Sequence, residues 1–172
     1  FSDVAGSPAD GLGVMWQVRD TIGVYGQDGD TWNSPFVSIS EQNAKTSKFR
    51  GTVTGGDQPY YAYYPYNEAN EGRSIDNLMG NLPESQPYGA DGRLHGDWKY
   101  GALISGTDYK FNFSHVFSLL KVTLDATATS SHTNLNIKSS NLDAIVLTFT
   151  TSGGQARIVN GDFNFNGTDG SY

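Results

Sequence analysis

The chain has no cysteine, which removes three possibilities at once: a disulfide framework, a thiolate metal site and a catalytic thiol. It also lacks any apolar run long enough for a membrane span or the core of a signal sequence. Histidine is scarce, with three among 172 residues, and no two of them stand at metal-ligand spacing. Ser114 and His115 are neighbours that a strand would turn to opposite faces, while His95 and His132 lie in Gly- or Ser-rich turns. Charge is sparse at 17% of residues, and the formal net charge of −7 argues against nucleic acid or an anionic membrane surface as the main partner. The carboxylates are scattered singly, without a pair that recommends itself for glycoside hydrolysis. No glycine-rich phosphate loop precedes a helix. The sequence therefore reads as that of a non-enzyme that needs no cofactor.

The length suits one ordinary domain with a real core. Gly, Thr, Ser, Asn and Tyr dominate, as in a turn-rich all-β protein. The chain begins at Phe1 rather than methionine, so the expectation is that an upstream segment, with any export signal or lipid anchor, has been removed. Residues 1–13 read as a flexible lead-in and 14–166 as a single β-sandwich domain. Val14, Trp16 and Val18 share one parity, Ile22 and Val24 follow, and Arg19-Asp20 marks a turn or bulge between two strands. Phe36 to Ile39 is partly extended, Phe49 to Thr54 is a strand, and Gly55-Gly56-Asp57 turns the chain back.

Tyr60 to Tyr66 (Tyr-Tyr-Ala-Tyr-Tyr-Pro-Tyr) holds the densest aromatic surface in the chain. Tyrosine favours strands, and Pro65 excludes a helix interior and cannot donate to a ladder, so the pairing ends there. Both faces of that strand are aromatic, and two readings stay open: a central strand buried between two layers, or a strand with one face in the core and one available to a ligand. Periodicity then fails over 67–106, a loop-rich stretch that reads either as the functional surface or, preferably, as a structured elaboration with short strands and at most a short helical turn, placed near Asp97 to Leu103. Alternation resumes at Tyr109, Phe111 and Phe113 and again at Leu120, Val122 and Leu124. Leu135 with Ile137, then Ala144 to Thr150, Ala156 to Val159 and Asp162 to Phe165 are strands, the last three joined as successive hairpins through Ser152 to Gln155 and Asn160-Gly161. Residues 167–172 form a loop-like tail.

Asp28-Gly-Asp30 invites comparison with a calcium loop, but Trp32 stands at a ligand position, Asn33 replaces the required glycine and Ile39 stands where the bidentate glutamate belongs. A polar turn is the better account, and no metal is expected. The candidate contacts to a ligand or partner are aromatic: Tyr61, Tyr63, Trp98 and Tyr100, with Tyr88 nearby in sequence. Flat apolar rings carrying a hydroxyl or indole donor suit sugars, and an aromatic sandwich core produces the same pattern.

Several segments in order resemble the fimbrillin family of Bacteroidetes surface proteins. They are Trp16 with Asp20-Thr-Ile-Gly-Val-Tyr-Gly26, Tyr61-Ala-Tyr-Tyr-Pro-Tyr66, Leu82-Pro-x-x-Gln86, and Phe111-Asn-Phe-Ser-His115 with Phe117, Leu119 and Leu120. The resemblance implies a transthyretin-like β-sandwich of two mostly antiparallel sheets. It also implies export as a lipoprotein to the cell surface or outer membrane, and a role as a fimbrial (pilus) subunit or adhesin. Its partners would be other fimbrial subunits joined by β-strand addition, and a host or dietary glycan or host protein on the adhesive side. Family members are matured by proteolysis after an arginine near the N-terminus, and no arginine precedes Arg19 here. The alternative function is a surface glycan-binding module that uses exposed aromatics.

Overall fold

A computed structural model of the chain describes residues 2–4, 13–26, 30–55, 58–82, 85–87, 96–107, 109–117, 134–137, 145–150, 153–158 and 162–171. In chain order the strands are β1 (Ser2–Val4), β2 (Gly13–Met15), β3 (Thr21–Tyr25), β4 (Ser34–Ser38), β5 (Phe49–Gly51), β6 (Tyr61–Tyr64), β7 (Leu78–Asn81), β8 (Ser85–Pro87), β9 (Lys99–Leu103), β10 (Phe111–His115), β11 (Asn134–Ile137), β12 (Ile145–Thr150), β13 (Gly153–Ile158) and β14 (Asp162–Phe165). Single 3-10 turns at Glu68–Asn70 and Ile75–Asn77 separate β6 from β7. The protein is an all-β sandwich. A six-stranded sheet in the order β10-β9-β6-β3-β4-β5 and a four-stranded sheet in the order β11-β12-β13-β8 are accompanied by the pairs β1-β2 and β14-β7. Among the described residues every pairing is antiparallel. Among the described residues no helix is long and apolar enough to cross a membrane.

The tyrosine segment is an interior strand, with β3 on one side and β9 on the other. Its period of two splits it cleanly between two clusters. Tyr61 and Tyr63 join Tyr25, Ile75, Leu78, Leu82, Trp98, Val116 and Phe165 on one face, and Ala62 and Tyr64 join Trp16, Ile22 and Val24 on the other. Each large apolar side chain buried in these clusters contributes about 1.5–3 kcal/mol relative to exposure. Tyr63, fully buried, keeps its hydroxyl satisfied: the oxygen lies 3.1 Å from both Asn33 Oδ1 and the Asn67 carbonyl, and accepts the Asn67 N–H at 3.0 Å. Burial raises the affinity of that hydroxyl, and of the Tyr25 hydroxyl, for its proton, so both stay donors. Tyr25 donates to the Asn70 carbonyl at 2.8 Å.

Close approach at β3 explains one glycine. A Cβ on Gly23 would run into the Tyr63 ring and Asn33 Oδ1. Gly23→Ala is therefore expected to lose about 1–3 kcal/mol through overpacking, read as a lower urea midpoint at an unchanged slope.

The structure corrects several expectations. Residues 1–13 are not wholly a loose lead-in, because Ser2, Asp3 and Val4 pair with Met15, Val14 and Gly13. The 67–106 elaboration holds short strands and helical turns, as the sequence suggests, and only the place of the helical turn differs. Asn67 accepts the Ala69 N–H and begins the first 3-10 turn, and buried Asn70 exchanges hydrogen bonds with the Met79 backbone through Oδ1 (2.7 Å) and Nδ2 (3.1 Å). The short helical turn placed near Asp97 to Leu103 is instead strand β9, second in the six-stranded sheet, and the helical turns fall at 68–70 and 75–77. Lys99-Tyr-Gly-Ala-Leu103 shows no apolar alternation because Gly101 has the Phe113 ring lying across it, so a neighbour fills the space its side chain would take.

Asp162 to Phe165 does not continue the hairpin series: β13 pairs with β8, and β14 pairs with β7. Gly153 and Gly154, read as turn residues, lie within β13, opposite Thr150 and Phe149. The tail is tied down rather than free, since Gly167 N–H donates to the Ile75 carbonyl (2.7 Å) and Gly170 packs on the Tyr100 ring. The strand expected at Leu120, Val122 and Leu124, and the residues His95, His132 and Tyr88, lie outside the described residues.

Candidate functional site

The two faces of the six-stranded sheet are finished differently. One face is closed by β7, β14 and Trp98. Trp98 stacks on Tyr63 (centroids 6.4 Å, planes 3° apart) and meets Phe163 and Phe165 edge-on at 5.6 and 5.7 Å. All four aromatic candidates fall on this side. Tyr63 and Trp98 are buried core side chains, with the Trp98 indole N–H donating to the Asn81 carbonyl at 3.0 Å, and Tyr61 and Tyr100 are half-buried against the same cluster.

The other face carries a groove of about 910 Å3. Its floor is made by alternate residues of β3, β4 and β10: Ile22 and Val24, Phe36, Phe111 and Phe113. Trp16 is the main wall. It meets Phe49, Tyr64 and Phe113 edge-on with centroids 4.9–5.3 Å apart, the geometry that ring quadrupoles favour. A single bridge, Trp16 N–H to the Ala44 carbonyl (2.8 Å) and Ala44 N–H to the Trp16 carbonyl (3.1 Å), sets this wall and the start of the Lys45–Phe49 segment along the groove. The turn preceding β3 lets Trp16 reach that position. Asp20 accepts the Gln17 N–H through Oδ2 (2.7 Å), and Arg19 takes a left-handed φ of 68°. At the mouth, Tyr109 is 71% exposed and stacks on Tyr60 at 5.9 Å.

One end of the groove holds an ionic cluster that sequence reasoning missed. Lys99 Nζ lies 2.7 Å from Asp97 Oδ2 and 2.7 Å from His115 Nδ1, and His115 Nδ1 lies 2.5 Å from Asp97 Oδ1. The side chains of Lys99 and Asp97 are 2% and 8% exposed, and that of His115 44%. Burial works against the Asp97 carboxylate, but the His115 hydrogen bond and the Lys99 charge outweigh it and hold Asp97 below the usual carboxylate range. Burial pushes the Lys99 amine down, with Asp97 opposing the shift. The cluster resembles a carboxylate–histidine pair, but its third member is an ammonium rather than a hydroxyl or thiol, and the neighbouring Ser114 belongs to the opposite side of β10. Its chemistry is charge compensation: a buried cation is held against Asp97 and His115 in a fixed place. Only strand register could have revealed it, because Lys99 stands directly opposite His115 in the β9–β10 ladder.

The edge formed by β10 is the second feature of this side. Ile104 N–H donates to the Lys110 carbonyl and Val116 N–H to the Trp98 carbonyl. Antiparallel alternation therefore gives the main chain of Lys110, Asn112, Ser114 and Val116 to β9 and turns that of Phe111, Phe113 and His115 outward. Asn112, Ser114 and His115 are exposed, and among the described residues no strand pairs with this outer edge. The opposite edge, β5, is only three residues long. Comparison of the chain with family models, with curated proteins and with solved structures finds no match.

Proposed function

We propose that this protein is a non-catalytic subunit of a surface filament, a fimbrial or adhesin-like protein at the cell surface or outer membrane that assembles by β-strand addition. The fimbrillin-like motifs motivate the reading. The observation that carries it is the outer edge of β10, where the main-chain groups of Phe111, Phe113 and His115 face outward beside an apolar groove. A strand added there gains main-chain hydrogen bonds and sends alternate side chains toward the groove. A bare edge is a liability in a free subunit, which a partner strand removes. Sedimentation velocity over a wide concentration range tests the proposal. Reversible association that grows with concentration is expected, and a strictly monomeric protein at the highest concentration contradicts it.

A surface glycan-binding module is the second reading, favoured by the exposed Tyr109 ring stacked on Tyr60 with Gln58 Nε2 3.4 Å from its hydroxyl. Affinity electrophoresis in polysaccharide gels separates the two. Retardation that disappears in Tyr109→Ala favours the glycan module, and unaltered mobility favours the filament subunit.

A further inference from the structure

The groove is basic in an acidic protein. Four of the six lysines, Lys45, Lys48, Lys99 and Lys110, line it together with His115, and among the described residues no carboxylate does. The whole chain carries a formal net charge of −7. Lys99 is compensated by Asp97. Lys45, Lys48 and Lys110 are exposed at the rim, and among the described residues none of the three has a carboxylate within ion-pair distance. Lys45 and Lys48 belong to the segment leading into β5, and Lys110 immediately precedes β10, so cationic groups stand at both sides of an aromatic floor.

We propose that this groove binds a free single-chain anionic amphiphile, such as a long-chain carboxylate. Three observations fit that ligand. The volume of about 910 Å3 falls within the range of about 300–1,000 Å3 typical of small-ligand sites, which are mostly apolar with a few placed polar groups. Trp16, Phe36, Phe111 and Phe113 offer an apolar bed for an acyl chain, and the rim lysines meet its carboxylate. A neutral or cationic amphiphile gains the same apolar contact and forfeits the charge complementarity. Amphiphile binding is read on the face of the sheet and strand addition on the main chain of β10, so either claim can fail without the other, and an added strand whose side chains enter the groove would compete with the ligand.

Calorimetric titration of the intact protein with dodecanoate below its micellar concentration, beside dodecyltrimethylammonium, is the test. Saturable dodecanoate binding at one site is expected, weaker by on the order of tenfold for the cationic analogue and for the Lys45→Gln/Lys48→Gln/Lys110→Gln variant. All three replaced lysines are exposed, so the fold survives the change, and an unchanged melting temperature checks that. NMR shifts confined to Trp16, Phe111 and Phe113 would place the chain in the groove. Equal binding of both head-group charges, no binding, or undiminished binding by the triple variant overturns the proposal. So does tighter binding to vesicles of anionic phospholipid, or to a peptide alternating valine and glutamate, since either names a different occupant.

Discussion

Replacing Asp97 by asparagine is expected to cost about 3–5 kcal/mol of folding stability, because it removes the carboxylate held 2.7 Å from a buried cation. Lys99 is 2% exposed, and the carboxylate of Asp97 lies 2.7 Å from its ammonium. His115 is a poor substitute partner, since an imidazole offers no negative charge to set against the ammonium. The penalty belongs to the buried charge that loses its carboxylate rather than to the pair. Accordingly the Asp97→Asn/Lys99→Met double variant is expected to regain most of the loss, as replacement of a whole buried pair by apolar groups is often neutral.

Two pH dependences follow. In the native protein Asp97 binds its proton less tightly than its ordinary value of 3.8 implies, so the unfolded chain takes up more protons in that range. Stability contributed by this carboxylate is then full above its ordinary value and lost as pH falls through the depressed native one. Lys99 acts in the opposite sense. Burial depresses its pKa below the ordinary 10.5, so the charged amine costs stability at neutral pH, and the cost is relieved as pH rises through the native value. The Asp97→Asn deficit should therefore shrink in alkaline solution. Urea denaturation of both variants across the pH scale measures all of this, and a deficit for Asp97→Asn below about 1 kcal/mol would show the pair to be solvated.

Trp98→Ala is the other large effect, about 3–5 kcal/mol. The indole is 5% exposed and fills the space between Tyr63, Phe163 and Phe165, where β14 meets the six-stranded sheet. Its removal opens a cavity walled by rings that are themselves held in place. It also leaves the Asn81 carbonyl without the donor it has at 3.0 Å. Trp32→Ala is the matched control. Trp32 is 50% exposed, and its loss should fall within about 0.5 kcal/mol. Equal losses for the two tryptophans, read by urea titration, would mean that the aromatic layer around Trp98 is not a packed core.

The sequence made the centre of the large sheet visible and left its flanks obscure, for a physical reason. Ile22, Val24, the tyrosine strand and Phe111 to Phe113 alternate strongly because each strand has a different apolar layer against each of its faces, or one apolar face and one wet one. The Arg19-Asp20 break likewise reads directly as the turn it is. Strand β9 was hidden because its cross-strand neighbours, Ala62 and Phe113, supply the bulk that Gly101 lacks. The order in 67–82 was hidden because it rests on asparagine side chains bonding to backbone groups, as at Asn67 and Asn70, and polar residues of that kind look the same in a loose loop.

Pairing was the least legible feature. Nothing in Asp162 to Phe165 says that its partner is β7 rather than the strand before it. The candidate site suffered most from this, since Asp97, Lys99 and His115 meet only through register, and the rim lysine Lys110 is far in sequence from Lys45 and Lys48. Aromatic density drew attention to Tyr61, Tyr63, Trp98 and Tyr100, all on the closed face. The open face owes its groove to Trp16, Phe36, Phe49, Phe111 and Phe113, which come from four separate segments.

Assembly through β10 requires that the outer edge of this strand be unpaired in the isolated subunit. Residue-resolved amide hydrogen exchange on dilute, monomeric protein tests that most directly. Slow exchange is expected for Asn112 and Ser114, whose N–H groups lie in the β9 ladder, with fast exchange for Phe111, Phe113 and His115, whose N–H groups face outward. Equal protection of all five amides would mean that the chain already covers this edge with its own residues, and would contradict assembly by strand addition there.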